Sequence, residues 1–158
     1  MDVIHSINYC LDIAQSTMEH GTCLHRNYGV IIVRNCKIIS SGYSCIIEKR
    51  TVRLETSMKE KLNTSYHADC AEGSKDGCVH CSTVRILHAE AMAIDTAPRE
   101  LLSGATLYLV GRDMQTGKLL VDTSPCIICM RLIIKAGIAY VISRISPEKY
   151  NIVCTNYC

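Results

Sequence analysis

Two short stretches, His88-Ala89-Glu90 and Pro125-Cys126-Ile127-Ile128-Cys129, put the tightest constraint on how this chain folds. One imidazole and two thiols this far apart in sequence must meet at one point if they are to bind one ion. Together they make three zinc ligands and leave a fourth position for water, which is the arrangement of a catalytic rather than a structural zinc. Glu90 is not needed as a ligand, so it can hold that water, take its proton and pass it to a leaving group. These residues read as a hydrolytic centre. A structural zinc knuckle or a redox C-x-x-C is the competing reading. Neither accounts for Glu90 two residues after the histidine, or for a set of only three obvious ligands.

The spacings also predict local structure. Cys126 and Cys129 are three apart and share one face of a helix. Pro125 suits that helix's first turn, and the apolar run Ile127, Ile128, Met130, Leu132, Ile133, Ile134 carries it to a stop at Gly137. Both sulfurs then lie at a helix N-terminus, where the positive end of the dipole and unpaired N–H groups favour thiolate over thiol. His88 and Glu90, two apart, would point about 200° away from each other in mid-helix. They converge only at a helix start, and the helix-forming run Ala89, Ala91, Met92, Ala93, Ile94 ahead of Pro98 begins there.

The rest of the composition bounds the setting. A chain of 158 residues, 48% of them hydrophobic, is expected to form one domain over 1–158 with a substantial core. It has no apolar run of about 18 residues or more, and Asp2, His5 and Asp12 interrupt the opening segment where a signal peptide would lie. A cytoplasmic protein with no membrane partner is expected. Eleven cysteines, without a secretion signal, argue for metal ligation and reduced thiols rather than a disulfide framework. A formal charge of +2 without a block of like charges, and eight tyrosines with no Trp or Phe, make a nucleic-acid partner the less favoured reading.

Taken in order, residues 4–19 carry Ile4, Ile7, Leu11, Ala14 and Met18 at helical spacing, closed near Gly21. A hairpin follows, with strands over 29–33 and 37–42 and Asn35-Cys36 at its turn. A Cys/His-rich insertion occupies residues 44–85, long enough to be functional or disordered. Its H-x-x-C and C-x-x-C spacings make His67, Cys70, Cys78 and Cys81, with Cys23 brought in from outside, candidates for a second, closed zinc site; His80 is the weakest candidate. The alternative is a loop with free thiols. Further along, a strand is predicted at 105–110, a turn at 111–117, a short returning strand at 119–121 and a buried strand at 138–143. No element is assigned to the tail 148–158, where Cys154 and Cys158 read as surface thiols. The resulting element order places helices on a mixed sheet.

These residues resemble the deoxycytidylate deaminase group of the cytidine deaminase superfamily. The resemblance rests on Thr22-Cys23-Leu24-His25-Arg26-Asn27-Tyr28-Gly29, Ile38-Ile39-Ser40-Ser41-Gly42-Tyr43, His88 to Ile94, and Pro125 to Cys129 with Leu132 to Ile138 after it. H-x-E followed by P-C-x-x-C is the metal signature of zinc nucleobase deaminases. The resemblance implies a three-layer α/β/α cytidine deaminase-like fold with a five-stranded mixed sheet, conversion of dCMP to dUMP with loss of ammonia, and homo-oligomerisation. It also implies that Ala89, Ser124 and Pro125 lie near the base, and that the insertion holds a structural zinc. Two departures concern the substrate. Where the group reads Gly-Tyr-Asn-Gly, with the Asn contacting substrate, Ser44 and Cys45 stand, so Ser44 takes the substrate-contacting position. Where it reads H-A-E-x-N-A, Met92 stands, and Met offers a sugar hydroxyl no strong partner. The alternatives are a deaminase of another free base or nucleoside, one acting on a base in tRNA or single-stranded nucleic acid, and an inactive zinc-stabilised nucleotide-binding module.

Overall fold

The computed structural model describes residues 3–23, 25–47 and 85–155. Their elements are α1 (Val3–Met18), β1 (Arg26–Arg34), β2 (Lys37–Tyr43), β3 (Cys45–Ile47), β4 (Arg85–Leu87), α2 (Ala89–Thr96), α3 (Arg99–Leu102), β5 (Thr106–Asp113), α4 (Ile127–Lys135), β6 (Tyr140–Ser146) and β7 (Lys149–Cys154). Five strands form one sheet in the order β2-β1-β5-β6-β7, and β3 pairs with β4 in a separate ribbon. Within the five, only β5 and β6 run parallel. Parallel neighbours need a crossover, and α4 supplies it.

Period-two alternation in the central strands decides the layering. Val30, Ile32, Leu107, Leu109 and Val141 face α2, α3 and α4, packing with Ala89, Ala93, Leu102, Ile133 and Ile138. Ile31, Tyr108, Val110 and Ile142 point the other way and meet Ile7, Leu11, Ala14 and Met18 of α1. A sheet with both faces apolar must be covered on both, so the helices divide between two layers around a mixed five-stranded sheet. At the β1–β2 turn, Asn35 and Cys36 take φ of 50° and 60°, the left-handed pair that a two-residue hairpin turn requires.

Several boundaries depart from the sequence expectations. The strand expected at 105–110 continues through Gly111 to Asp113, because β1 pairs with it along that whole length, Tyr28 opposite Gly111 and Arg26 opposite Asp113. The turn therefore starts at Asp113, whose Oδ1 accepts from the N–H groups of Gln115 and Thr116. In place of a returning strand at 119–121 there is an isolated bridge between Arg112 and Leu119. The strand expected at 138–143 starts at Tyr140, since Ile138 is used to close α4. Its N–H bonds Ile133 C=O at 3.2 Å and that of Gly137 bonds Ile134 C=O at 3.0 Å, the paired bonds of a Schellman motif. The tail, assigned no element from sequence, contributes β7 antiparallel to β6, with Ile142 opposite Ile152 and Val141 opposite Val153. Most of the insertion lies outside the described residues; its two ends are β3 and β4, paired from Cys45–Leu87 to Ile47–Arg85.

Candidate active site

The polypeptide enters α2 through His88, which is extended at φ −71°, ψ 144° and forms the N-cap. Its C=O accepts the first helical bond, from Met92 N–H at 3.0 Å. Its ring makes no capping hydrogen bond. Being outside the helical turn, His88 can share a direction with Glu90, as the spacing required. Glu90 lies in the first turn of α2 and is 5% exposed. A carboxylate there sits at the positive end of the helix dipole.

Cys126 opens α4 in a similar way. It is the N-cap, at φ −65°, ψ 165°, and its Sγ accepts from Cys129 N–H at 3.4 Å. Pro125 consequently precedes the cap instead of occupying the first helical turn as expected. The reason is that an extended Cys126 is what aims sulfur at an otherwise unpaired N–H. Hydrogen bonding with the Cys129 side chain, then with the His88 ring and the Cys129 N–H, holds the Cys126 thiol down to about 3 against the upward push of burial. The direction favours thiolate, the form that binds metal.

The two helix starts meet. His88 Nδ1 lies 3.6 Å from Cys126 Sγ and 3.4 Å from Cys129 Sγ, and the three donor atoms are all within 4.8 Å of one another. Zinc–sulfur bonds of about 2.3 Å and zinc–nitrogen bonds of about 2.0–2.1 Å at tetrahedral angles make an N···S edge of roughly 3.5–3.6 Å. The observed spacing thus fits a tetrahedral zinc, and imidazole with thiolates suits that ion. Among the described residues no further His, Cys, Asp or Glu joins the group. Neither Cys126 nor Cys129 is in a disulfide, so both sulfurs are open to a metal.

The remaining expected positions divide. Ala89 is fully buried in the core, directly behind His88, while Ser124 is exposed and Pro125 half-buried at the entry to α4. Ser44, expected at the substrate, is 3% exposed and fastened to backbone. Its Oγ accepts from Tyr28 N–H at 3.1 Å, its N–H donates to Tyr28 C=O at 3.1 Å, and its C=O accepts from Thr22 N–H at 3.0 Å. Met92 is half-buried on α2. Cys23 is buried with a free thiol, and its N–H donates to Asn27 Oδ1 at 3.0 Å. His67, Cys70, Cys78, His80 and Cys81, the other candidates for a second zinc, lie outside the described residues.

Thr22 and Asn27, which the sequence singled out only through the resemblance, have a structural role that sequence reasoning did not assign. The Asn27 amide spans the loop before β1, accepting from Cys23 and donating to Gly21 C=O at 3.2 Å. Thr22 Oγ1 accepts from Ile46 N–H at 2.8 Å, anchoring the ribbon whose other strand leads straight into His88. A Thr before a β-branched strand and an Asn at its entry were the available signal.

Residues 4–144 match the family model for the cytidine and deoxycytidylate deaminase zinc-binding region. The chain belongs to this family. Its members are zinc-dependent hydrolytic deaminases, and among the described residues His88, Cys126 and Cys129 form the group that could hold a metal ion. Among curated relatives, the deoxycytidylate deaminase of Saccharomyces cerevisiae is 26% identical over 92% of this chain and 41% of its own length. That of Schizosaccharomyces pombe is 27% identical over 88% of this chain and 37% of its own. The chain therefore spans about two fifths of the relatives it matches. The dCMP deaminase of cyanophage S-TIM5, solved in complex with dCMP and dUMP, aligns over 90% of this chain and 82% of its own with a TM-score of 0.56 at 21% identity, which shows a shared fold.

Proposed function

We propose that this chain is a zinc-dependent deaminase that converts dCMP to dUMP with release of ammonia. The observation that carries the reading is the convergence of His88 Nδ1, Cys126 Sγ and Cys129 Sγ at the starts of two helices, with the buried Glu90 carboxylate in the first turn of one of them. The names of the yeast relatives support the substrate.

Zinc held by these three residues supplies Lewis acidity that brings water to nucleophilic strength near neutral pH. Glu90 moves one proton of the attacking water to the ring nitrogen and then the other to the amine, which leaves as ammonia. The His88 ring and both sulfurs are held at helix starts rather than on a mobile loop, His88 and Cys126 as N-caps and Cys129 in the first turn of α4. By the resemblance, backbone groups of Ala89, Ser124 and Pro125 border the base, and burial around Glu90 keeps bulk water from diverting its proton.

Ammonia release measured over dCMP, deoxycytidine, cytidine, cytosine and adenosine-containing RNA tests the reading. Turnover is expected with dCMP, and Glu90→Gln is expected to lower kcat by about 10²–10⁴-fold while keeping its zinc. Near-normal turnover by Glu90→Gln removes the carboxylate from the mechanism. One observation favours a second reading, a cytosine compound other than the deoxynucleotide: Ser44, where the resemblance puts a substrate contact, spends its Oγ on Tyr28 N–H. Faster ammonia release from cytosine or cytidine than from dCMP decides for it.

A further inference from the structure

The β1–β2 hairpin carries two glycines at adjacent rungs of its ladder, Gly29 opposite Tyr43 and Gly42 opposite Val30, and they serve opposite faces of the sheet. A Cβ on Gly29 would run into Ala14 C=O of α1 and come within 2.6 Å of Met18 N. One on Gly42 would run into Ala89 C=O of α2, lie 2.7 Å from Ala93 N and lie 3.1 Å from Ala93 Cβ. The obstacles are helix backbone, which cannot swing aside as a flexible side chain can. Each glycine is thus a seat into which one helix settles backbone-first. The seats differ in what their helices carry. α1 holds none of the candidate metal ligands, whereas the carbonyl resting on Gly42 belongs to the residue between His88 and Glu90.

We infer that Gly42 is a positioning residue for the metal centre: by letting α2 lie against the bare backbone of β2, it sets the depth at which His88 meets Cys126 and Cys129. His88 Nδ1 stands 3.4–3.6 Å from both sulfurs. Raising the first turn of α2 by the thickness of a methyl group stretches that spacing beyond a tetrahedral edge, while α4 and its two sulfurs stay in place. The inference rests on the zinc reading proposed above.

The experiment compares Gly42→Ala with Gly29→Ala. Zinc affinity is measured by chelator competition, the ligand field by the thiolate-to-cobalt absorption of the Co2+-loaded protein, and stability by thermal melting of the metal-free protein. Both variants are expected to melt earlier. Gly42→Ala is expected to bind zinc about tenfold or more weakly, the range seen when groups that orient metal ligands are lost, with a shifted or weakened cobalt band. Gly29→Ala is expected to keep the wild-type affinity and band. Should Gly42→Ala not fold, Ala93→Val presses on the same seat from the helix side, and Met18→Ile, which adds a branch at the Cβ facing Gly29, is its counterpart on α1. Unchanged zinc affinity in Gly42→Ala or Ala93→Val, or an equal loss in the α1 variants, overturns the inference. Zinc affinity in the wild type that is indifferent to His88→Ala overturns instead the metal reading on which it stands.

Discussion

Tyr108 shows what one buried polar group does away from the metal. It lies on β5 beneath α1, 8% exposed, with its phenol bonded to the Cys10 side chain. Burial pushes its titration up to about 12, and the thiols of Cys10 and Cys36 add to the rise. A folded value above the ordinary 10.0 means that the neutral phenol is favoured in the native state. The stability this confers is whole below pH 10 and is lost as pH rises through 12. Urea midpoints measured from pH 9 to pH 12 should therefore fall more steeply for the wild type than for Tyr108→Phe, and identical slopes would contradict the assignment. At this scale the candidate set that the structure brings together, His88, Cys126 and Cys129, was readable in the sequence, because zinc chemistry leaves few choices of donor and spacing. Ser44 was not, since whether its hydroxyl faces a ligand or the Tyr28 N–H is settled by β1, which lies 16 residues away in sequence.

Helix ends place the chemistry at the scale of the element, and α4 shows both of its ends at work. Its N-cap sulfur is a candidate ligand, while its C-terminus closes on Gly137 at φ +77°. An L side chain in that region costs about 1–2 kcal/mol, and a Cβ there would also come within 3.3 Å of Ser103 Cα. Gly137→Ala is expected to lose about 1–2 kcal/mol of unfolding free energy in urea and to bind zinc as tightly as the wild type, because the strain falls at the end remote from Cys126. A comparable loss of zinc affinity would mean that the helix transmits strain along its length. This stop was legible because glycine after an apolar helical run has one common use. The ribbon of β3 and β4 was not legible. Its strands are three residues each, too short for periodicity, and their pairing is between segments far apart in sequence. The tail strand β7 was missed for a related reason. Its residues are mostly exposed, so no apolar alternation marked it, and it is held by the backbone ladder to β6.

For the molecule as a whole, the two cores bear on what zinc contributes. Both are built on the sheet, one beneath α1 and the other beneath α2, α3 and α4, from mostly apolar residues that include none of the candidate ligands. A zinc ion at the site would join His88 to sulfurs 38 and 41 residues further on, but the helices it joins already pack on strands. Such a protein should differ from a zinc finger, whose fold exists only with metal bound. Ligand linkage puts the stabilisation at about 2.7 kcal/mol when free zinc is a hundredfold above its dissociation constant. At roughly 2–4 °C per kcal/mol for a chain of this size, that lowers the melting temperature by roughly 5–11 °C on removal of zinc. Chelation is therefore expected to abolish ammonia release, to leave the far-ultraviolet circular dichroism near its original shape at 25 °C, and to be reversed by adding zinc back. If the stripped protein instead lost its secondary structure cooperatively, the metal would be holding the fold together, and the catalytic assignment of the His88, Cys126 and Cys129 centre would have to give way to a structural one.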